Sequence, residues 1–131
     1  MEVSSRKYQQ LGDNYNYQLL KEKCPIIATW DDHDYGVNDG GKEYPKRAES
    51  QQVFLEFFEE PSDSKRWKQK GVYTSYEYGT EEQQVKVMLL DQRYHREEPD
   101  TDGDVLGEAQ WKWLESEFRN STAKIVLVGA S

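Results

Sequence analysis

The sequence predicts a layered α/β fold. Two observations carry the prediction. Short apolar runs rich in β-branched residues, "PIIATW" (25–30), "QVKVMLLDQRY" (84–94) and "KIVLVGAS" (124–131), recur along the chain, and stretches with helical spacing of apolar residues fall between them. Strands alternating with amphipathic helices bury their apolar faces against one another in layers. The 131 residues are enough for one domain with its own core.

The elements follow in order. Gly12-Asp13-Asn14 reads as a turn, and "YNYQLLKEK" (15–23) as a short helix after it. Residues 25–30 are apolar and short, the mark of a fully buried strand. The segment 31–45, dense in Asp, Gly and Asn, is expected to be a loop. Pro45 is placed to open the next helix, since a first turn has no use for its missing N–H. In "RAESQQVFLEFFEEP", Val53, Phe54, Phe57 and Phe58 share one helical face, and Pro61 stops the helix. "GVYTSYEYG" (71–79) alternates with period two. Residues 84–94 alternate and then become wholly apolar, which predicts a central strand. "GEAQWKWLESEFRN" is a helix with Ala109, Trp113 and Phe118 near one face, flanked by Trp111 and Leu114; the tryptophans Trp111 and Trp113 are read as packing residues. Residues 124–131 give a last buried strand, adjacent to 84–91 and 25–30.

Composition narrows the function. The net charge is -8, whereas binding to a nucleic-acid duplex needs clustered Lys and Arg, so no nucleic-acid surface is expected. No apolar run approaches the roughly 18–20 residues of a membrane span. The N-terminal "MEVSSRKYQQ" shows no signal peptide, and the compartment stays open. The one cysteine, Cys24, excludes an internal disulfide and is expected to be a small buried hydrophobe. Asn120-Ser121-Thr122 is a glycosylation sequon that matters only in a secreted chain.

The chemistry concentrates at "WDDHDYGVNDGG" (30–41), which follows an apolar run, where α/β folds place their functional loops. Asp31 and Asp32 are adjacent, and their repulsion is relieved by a divalent cation or by hydrogen-bond donors. His33 can ligate a metal or donate a proton to a leaving group. Asn38 adds a neutral oxygen donor, and an exposed Asx-turn loop is the alternative for the whole stretch. "RYHR" (93–96) brings Arg93 and Arg96 to the same sheet edge. There they can grip phosphate oxygens or pair with carboxylates such as Asp91 and Glu97, the latter being favoured for Arg96. His95 is assigned no role. "DTDGDVLGEAQW" (100–111) imitates a calcium loop but puts Val105 where the turn glycine belongs and Trp111 where the bidentate glutamate belongs, so it is read as a solvated lead-in to the helix. Trp67, in "SKRWKQKG", is read as tethering a basic turn.

Taken together, "IIATWDDHDYGVNDGG", "GVYTSYEYG", "VKVMLLDQRYHR" and "LGEAQWKWLESEF" resemble the PhoD-like alkaline phosphatases, a metallophosphoesterase family, over nearly the whole chain. The resemblance implies a four-layer α/β sandwich, hydrolysis of phosphate esters and a site of two or more metal ions, with calcium and iron known in the family. Asp32-His33-Asp34 match the Asn/Asp-His-Glu/Asp loop of metallophosphoesterases. That match makes Asp32 the candidate metal ligand and His33 the candidate donor facing the leaving group, with Asp31 or Asn38 as further candidate ligands; Arg93, from its place in "RYHR", is the candidate substrate-binding residue. A Gly-Asp segment expected upstream has no counterpart, because Gly12-Asp13 follows no apolar strand, and neither has a later Gly-Asp-x-His segment. Residues 1–131 are therefore expected to be a partial phosphatase domain, a fragment or a truncated member, inactive in isolation. Its uncovered sheet would favour self-association. The alternative function is a non-catalytic domain that binds divalent metal weakly or only mediates interactions.

Overall fold

The computed structural model describes residues 2–131. Among them one three-stranded sheet forms, in the order β1 (Thr74–Tyr78), β2 (Val85–Leu89), β3 (Ile125–Gly129). β1 and β2 are an antiparallel hairpin in the register Tyr76↔Val87. β2 and β3 run parallel in the register Val87↔Leu127, so the chain must cross over between them, and α5 (Glu108–Asn120) makes that crossover. The remaining helices are α1 (Glu2–Gly12), α2 (Tyr15–Lys23), the single-turn α3 (Asp32–Tyr35) and α4 (Arg47–Phe57), with a short 3₁₀ turn at Lys65–Trp67. Helices and a mixed sheet together make this an α/β fold.

α2 begins where Asn14 Oδ1 accepts the N–H groups of Asn16 and Tyr17, at 2.9 and 3.2 Å. α1 has no counterpart in the sequence reading, because its apolar residues are few; Tyr8 anchors it, with its ring 4.6 Å from that of Phe57 on α4. Trp67 donates its indole N–H to Pro61 O at 2.9 Å and so ties the basic turn down.

The densest core lies beside the sheet. Trp30, Tyr35, Phe54, Leu55, Val72 and Tyr94 form one buried cluster. The Trp30 ring meets those of Tyr35 and Phe54 edge-on, with centroids 5.1 and 5.4 Å apart. Full burial of side chains this large contributes roughly 1.5–3 kcal/mol each.

Five expectations need correction. Residues 25–30 do not join the sheet. Pro25 has no N–H to give, and two polar groups of the segment find partners outside any strand ladder: Thr29 Oγ1 donates to Leu90 O at 2.6 Å, and Ala28 O accepts from Arg66 Nη2 at 3.0 Å. β3 is an edge strand, not a buried one, with Ile125, Leu127 and Val128 each about half exposed. The loop at 31–45 contains a helical turn, α3, because the run of Asp residues supplies its own capping acceptors. Cys24 is exposed, since it follows α2 directly and its Sγ turns back to Leu20 O at 3.5 Å. Trp111 is half exposed, its indole N–H drawn to Asp104 Oδ1 at 2.7 Å. Trp113 does pack, against Tyr73 with ring centroids 4.9 Å apart. No helix among the described residues is long and apolar enough to cross a membrane.

Candidate active site

The site begins where the apolar segment ends in Trp30. Asp31 caps α3: its carbonyl accepts Tyr35 N–H at 2.9 Å, and its own N–H donates to Asp34 Oδ2 at 3.3 Å. Tyr35, fully buried, donates its hydroxyl to Gly41 O at 2.6 Å, and this bond folds the loop back on itself. Gly36 lets the two ends approach, since a Cβ there would lie 2.3 Å from the Tyr44 ring. The far end is pinned by Lys42 N–H donating to Arg96 O at 2.8 Å.

Within this loop Asp32 accepts two backbone N–H groups, from His33 on Oδ1 at 2.8 Å and from Asp39 on Oδ2 at 2.9 Å. The Asp39 N–H is the main reason its carboxyl titrates below the usual carboxylate range. Partial desolvation opposes that shift, while the His33 N–H and the charges of His33 and Arg93 reinforce it. Asp39 itself sits at φ 56°, a left-handed conformation that Asp tolerates, and accepts Asn38 Nδ2 at 2.7 Å. The His33 ring is 69% exposed, with Nδ1 3.7 Å from Asp32 Oδ1.

Arg93 arrives from the turn after β2. Its Nε donates to Asp31 Oδ1 at 3.0 Å, and its Nη2 donates to the same oxygen. Nη1 is buried without a hydrogen-bond partner among the described residues. The side chain is 11% exposed, while that of Asp31 is 55% exposed.

What holds Arg93 in place is a pair of residues to which the sequence reading gave no such part. Asp91, 1% exposed, spends its carboxylate on backbone: Oδ1 accepts the N–H groups of Arg93 (2.8 Å) and Tyr94 (2.9 Å), and Oδ2 accepts that of Val72 (2.8 Å). Gln110 of α5, equally buried, grips the Asp91 main chain from both sides, accepting its N–H at 2.9 Å and donating to its carbonyl at 2.8 Å. An Asp directly after an apolar strand and two residues before an Arg is a legible Asx-turn signal. Gln110 carries no such sign.

The structure therefore brings Asp31 to Arg93 at the turn after β2, with Asp32 and His33 next to one another in the same loop and Asn38 linked to Asp32 through Asp39. It separates His95, whose Nε2 lies 3.3 Å from Lys70 O and whose ring packs where a Cβ on Gly107 would fall. Arg96 makes no ion pair among the described residues, contrary to the pairing favoured for it: Asp91 is committed to backbone and Glu97 to Lys42, at 2.6 Å. In the 100–111 loop Asp104 accepts Gly107 N–H at 2.8 Å and leads into α5, as a helix lead-in should.

A metal centre is not complete here. No group of three or more His, Cys, Asp or Glu side chains that could hold a metal ion occurs among the described residues. Asp31 is engaged by Arg93 and both oxygens of Asp32 by N–H groups. These residues alone do not fit a resident metal.

A family model described as PhoD-like phosphatase matches residues 5–131. No curated protein and no solved structure matches the chain.

Proposed function

Because the chain belongs to the PhoD-like phosphatase family, we propose that the 31–41 loop and the Arg93 turn serve hydrolysis of phosphate esters. The observation that supports this reading is the contact of Arg93 with Asp31, which joins a guanidinium suited to phosphoryl oxygens to the acidic loop that carries His33. Arg93 is the substrate-binding residue. It holds the phosphoryl group while water attacks phosphorus and the P–O bond to the leaving group breaks. His33, the catalytic residue, gives a proton to the departing oxygen and regains one from solvent. The charge of Asp32, 3.7 Å from His33 Nδ1, orients the ring. Asp31, Asp32 and Asn38 remain the proposed donors to a divalent or trivalent ion, calcium or iron, which other groups would have to complete.

A second reading is favoured by the sparse donor set: a non-catalytic chain that binds divalent ions weakly or acts through its open sheet, including by self-association. Turnover of an aryl and an alkyl phosphate, measured with and without added calcium and iron, separates the two. Metal-dependent turnover abolished by His33→Ala supports hydrolysis. A chain inert under all these conditions leaves the second reading.

A further inference from the structure

A cleft of about 320 Å³ opens where α4 meets the 3₁₀ turn, walled by Gln51, Gln52 and Leu55 of α4 together with Trp67, Gln69 and Tyr94. Charged residues make up 32% of the chain, yet no charged side chain lines this cleft. An ionic ligand would leave water there without meeting a counter-charge, which is costly. The walls are held from behind. Gln51, 6% exposed, donates Nε2 to Arg66 O at 2.8 Å and to Gln69 O at 3.0 Å, and accepts Gly71 N–H on Oε1 at 2.9 Å. The Trp67 indole N–H is fixed on Pro61 O, so the ring keeps its orientation while the residue stays 36% exposed. The Arg47 guanidinium lies 4.9 Å from the Tyr94 ring centroid and clamps that ring in turn. Walls anchored in this way lose little conformational freedom when a ligand binds.

The amide groups left over are chiefly acceptors. Gln69 gives Nε2 to Gly71 O at 2.9 Å and to Tyr73 O at 2.7 Å, and its Oε1 has no donor among the described residues. Gln52 gives Nε2 to Glu56 Oε1 at 2.8 Å, and its own Oε1 is likewise without a donor. Two acceptors beside an indole select the ligand. A nucleobase edge sets acceptors next to donors, and its acceptors would go unpaired here. A hydrocarbon would strip water from both amide oxygens and return nothing. A polyhydroxylated ring answers both demands, because each hydroxyl rotates to donate and the C–H face meets the electron-rich face of the indole.

We propose that this cleft binds a neutral sugar ring, whose hydroxyls donate to Gln52 Oε1 and Gln69 Oε1 while its C–H face lies on Trp67. The inference does not depend on the phosphate-ester reading. It uses neither the acidic loop nor Arg93, and it stands or falls on the cleft alone.

The test titrates the isotope-labelled 131-residue chain with methyl glucoside and follows it by NMR. Saturable shifts are expected at the Trp67 indole N–H and at the side-chain amides of Gln52 and Gln69. Gln52→Leu, at an exposed position of α4, should weaken binding roughly 2–10-fold, the range for one neutral hydrogen bond. Trp67→Ala also cuts the tether to Pro61 O and can loosen the turn, so Gln52 carries the test. Gln83→Leu, exposed in the β1–β2 connection, is the control and should bind as wild type does. Cyclohexanol and adenine, which cannot supply both donors on a saturated ring, should bind about 10-fold or more weakly than the glucoside. Absence of saturable shifts at these groups, or wild-type affinity in Gln52→Leu, overturns the site, and so does an equal loss in Gln83→Leu. Equal affinity for cyclohexanol would make the cleft an unselective apolar hollow, and tighter binding of adenine would make it a base-stacking site; either result sinks the sugar assignment.

Discussion

Arg93 and Asp31, 62 residues apart in sequence, share one carboxylate oxygen between two guanidinium nitrogens. The pair joins the turn after β2 to the cap of α3, and a half-exposed acid thereby steadies a nearly buried base. Asp31→Ala should lower stability by about 1.5–3 kcal/mol, the cost of losing a hydrogen bond to a charged group. The exposure of Asp31 favours the lower end. A urea midpoint indistinguishable from wild type would show that the contact is idle.

Asp91→Ala should be far more damaging, because it strands three backbone N–H groups at once, those of Val72 and Tyr94 buried and that of Arg93 partly so. At about 1–3 kcal/mol for each unsatisfied donor, a loss above roughly 3 kcal/mol is expected. Amide exchange should accelerate first at Val72, Arg93 and Tyr94, the groups that Asp91 accepts. A uniform, small acceleration across the chain would contradict the assignment.

The acid limb of the stability curve should depend on Asp32. Its carboxyl titrates below the ordinary value in the folded chain, so its contribution is present above the unfolded pKa of about 3.9 and is lost as pH falls through the lower folded value. Asp32→Asn should flatten that limb while leaving the neutral plateau lower. NMR titration of the Asp32 carboxyl carbon checks the sign directly: a midpoint at or above 4 would be the wrong direction.

In any preparation that turns over, or in a relative bearing the same loop, His33→Ala should reduce the rate by roughly 10²–10⁴, the range for a positioned general acid. The loss should be smaller with an aryl phosphate, whose leaving group needs little protonation, than with an alkyl phosphate. Metal content should stay near wild type. Asp32→Asn should instead lower metal affinity and recover partly with excess metal. Equal metal loss in both variants would make His33 a ligand.

Ile125 and Leu127 on one face of β3 and Val128 on the other leave this edge strand with exposed apolar surface, and open edges invite pairing. The chain should bind a hydrophobic dye or associate with rising concentration, and Leu127→Lys should reduce both. A monodisperse chain without dye binding would count against association through this strand.

The sequence was most informative where apolar period and capping agree. The alternation in 71–79 and 84–89, the helix from Glu108 and the helix over Arg47–Phe57 all follow from it. It misled where a run was apolar without alternation. Residues 25–30 carry the composition of a buried strand, yet composition does not say whether backbone groups meet a ladder or side chains such as Thr29 and Arg66. The exposure of β3 was hidden for a related reason: a run of Ile, Val and Leu records a demand for burial, not whether a neighbour meets it. At the site, Asp31, His33 and Arg93 announced themselves by type and position. Gln110 did not, because a glutamine on a helix acquires its role only from the fold that turns it toward Asp91.

The parallel pairing of β2 with β3 has a kinetic consequence. The β1–β2 hairpin closes over a short connection and can form in microseconds, whereas β3 must wait for the whole of α5 to be placed. Leu90 N–H donates to Gly129 O, so the turn that bears Arg93 is seated only after that late strand arrives. The link to Asp31 spans a still longer separation, and its closure is resisted by the entropy of the intervening chain. The acidic loop and its arginine should therefore meet last as the chain folds, and under mild denaturant they should part first, while the hairpin is still intact.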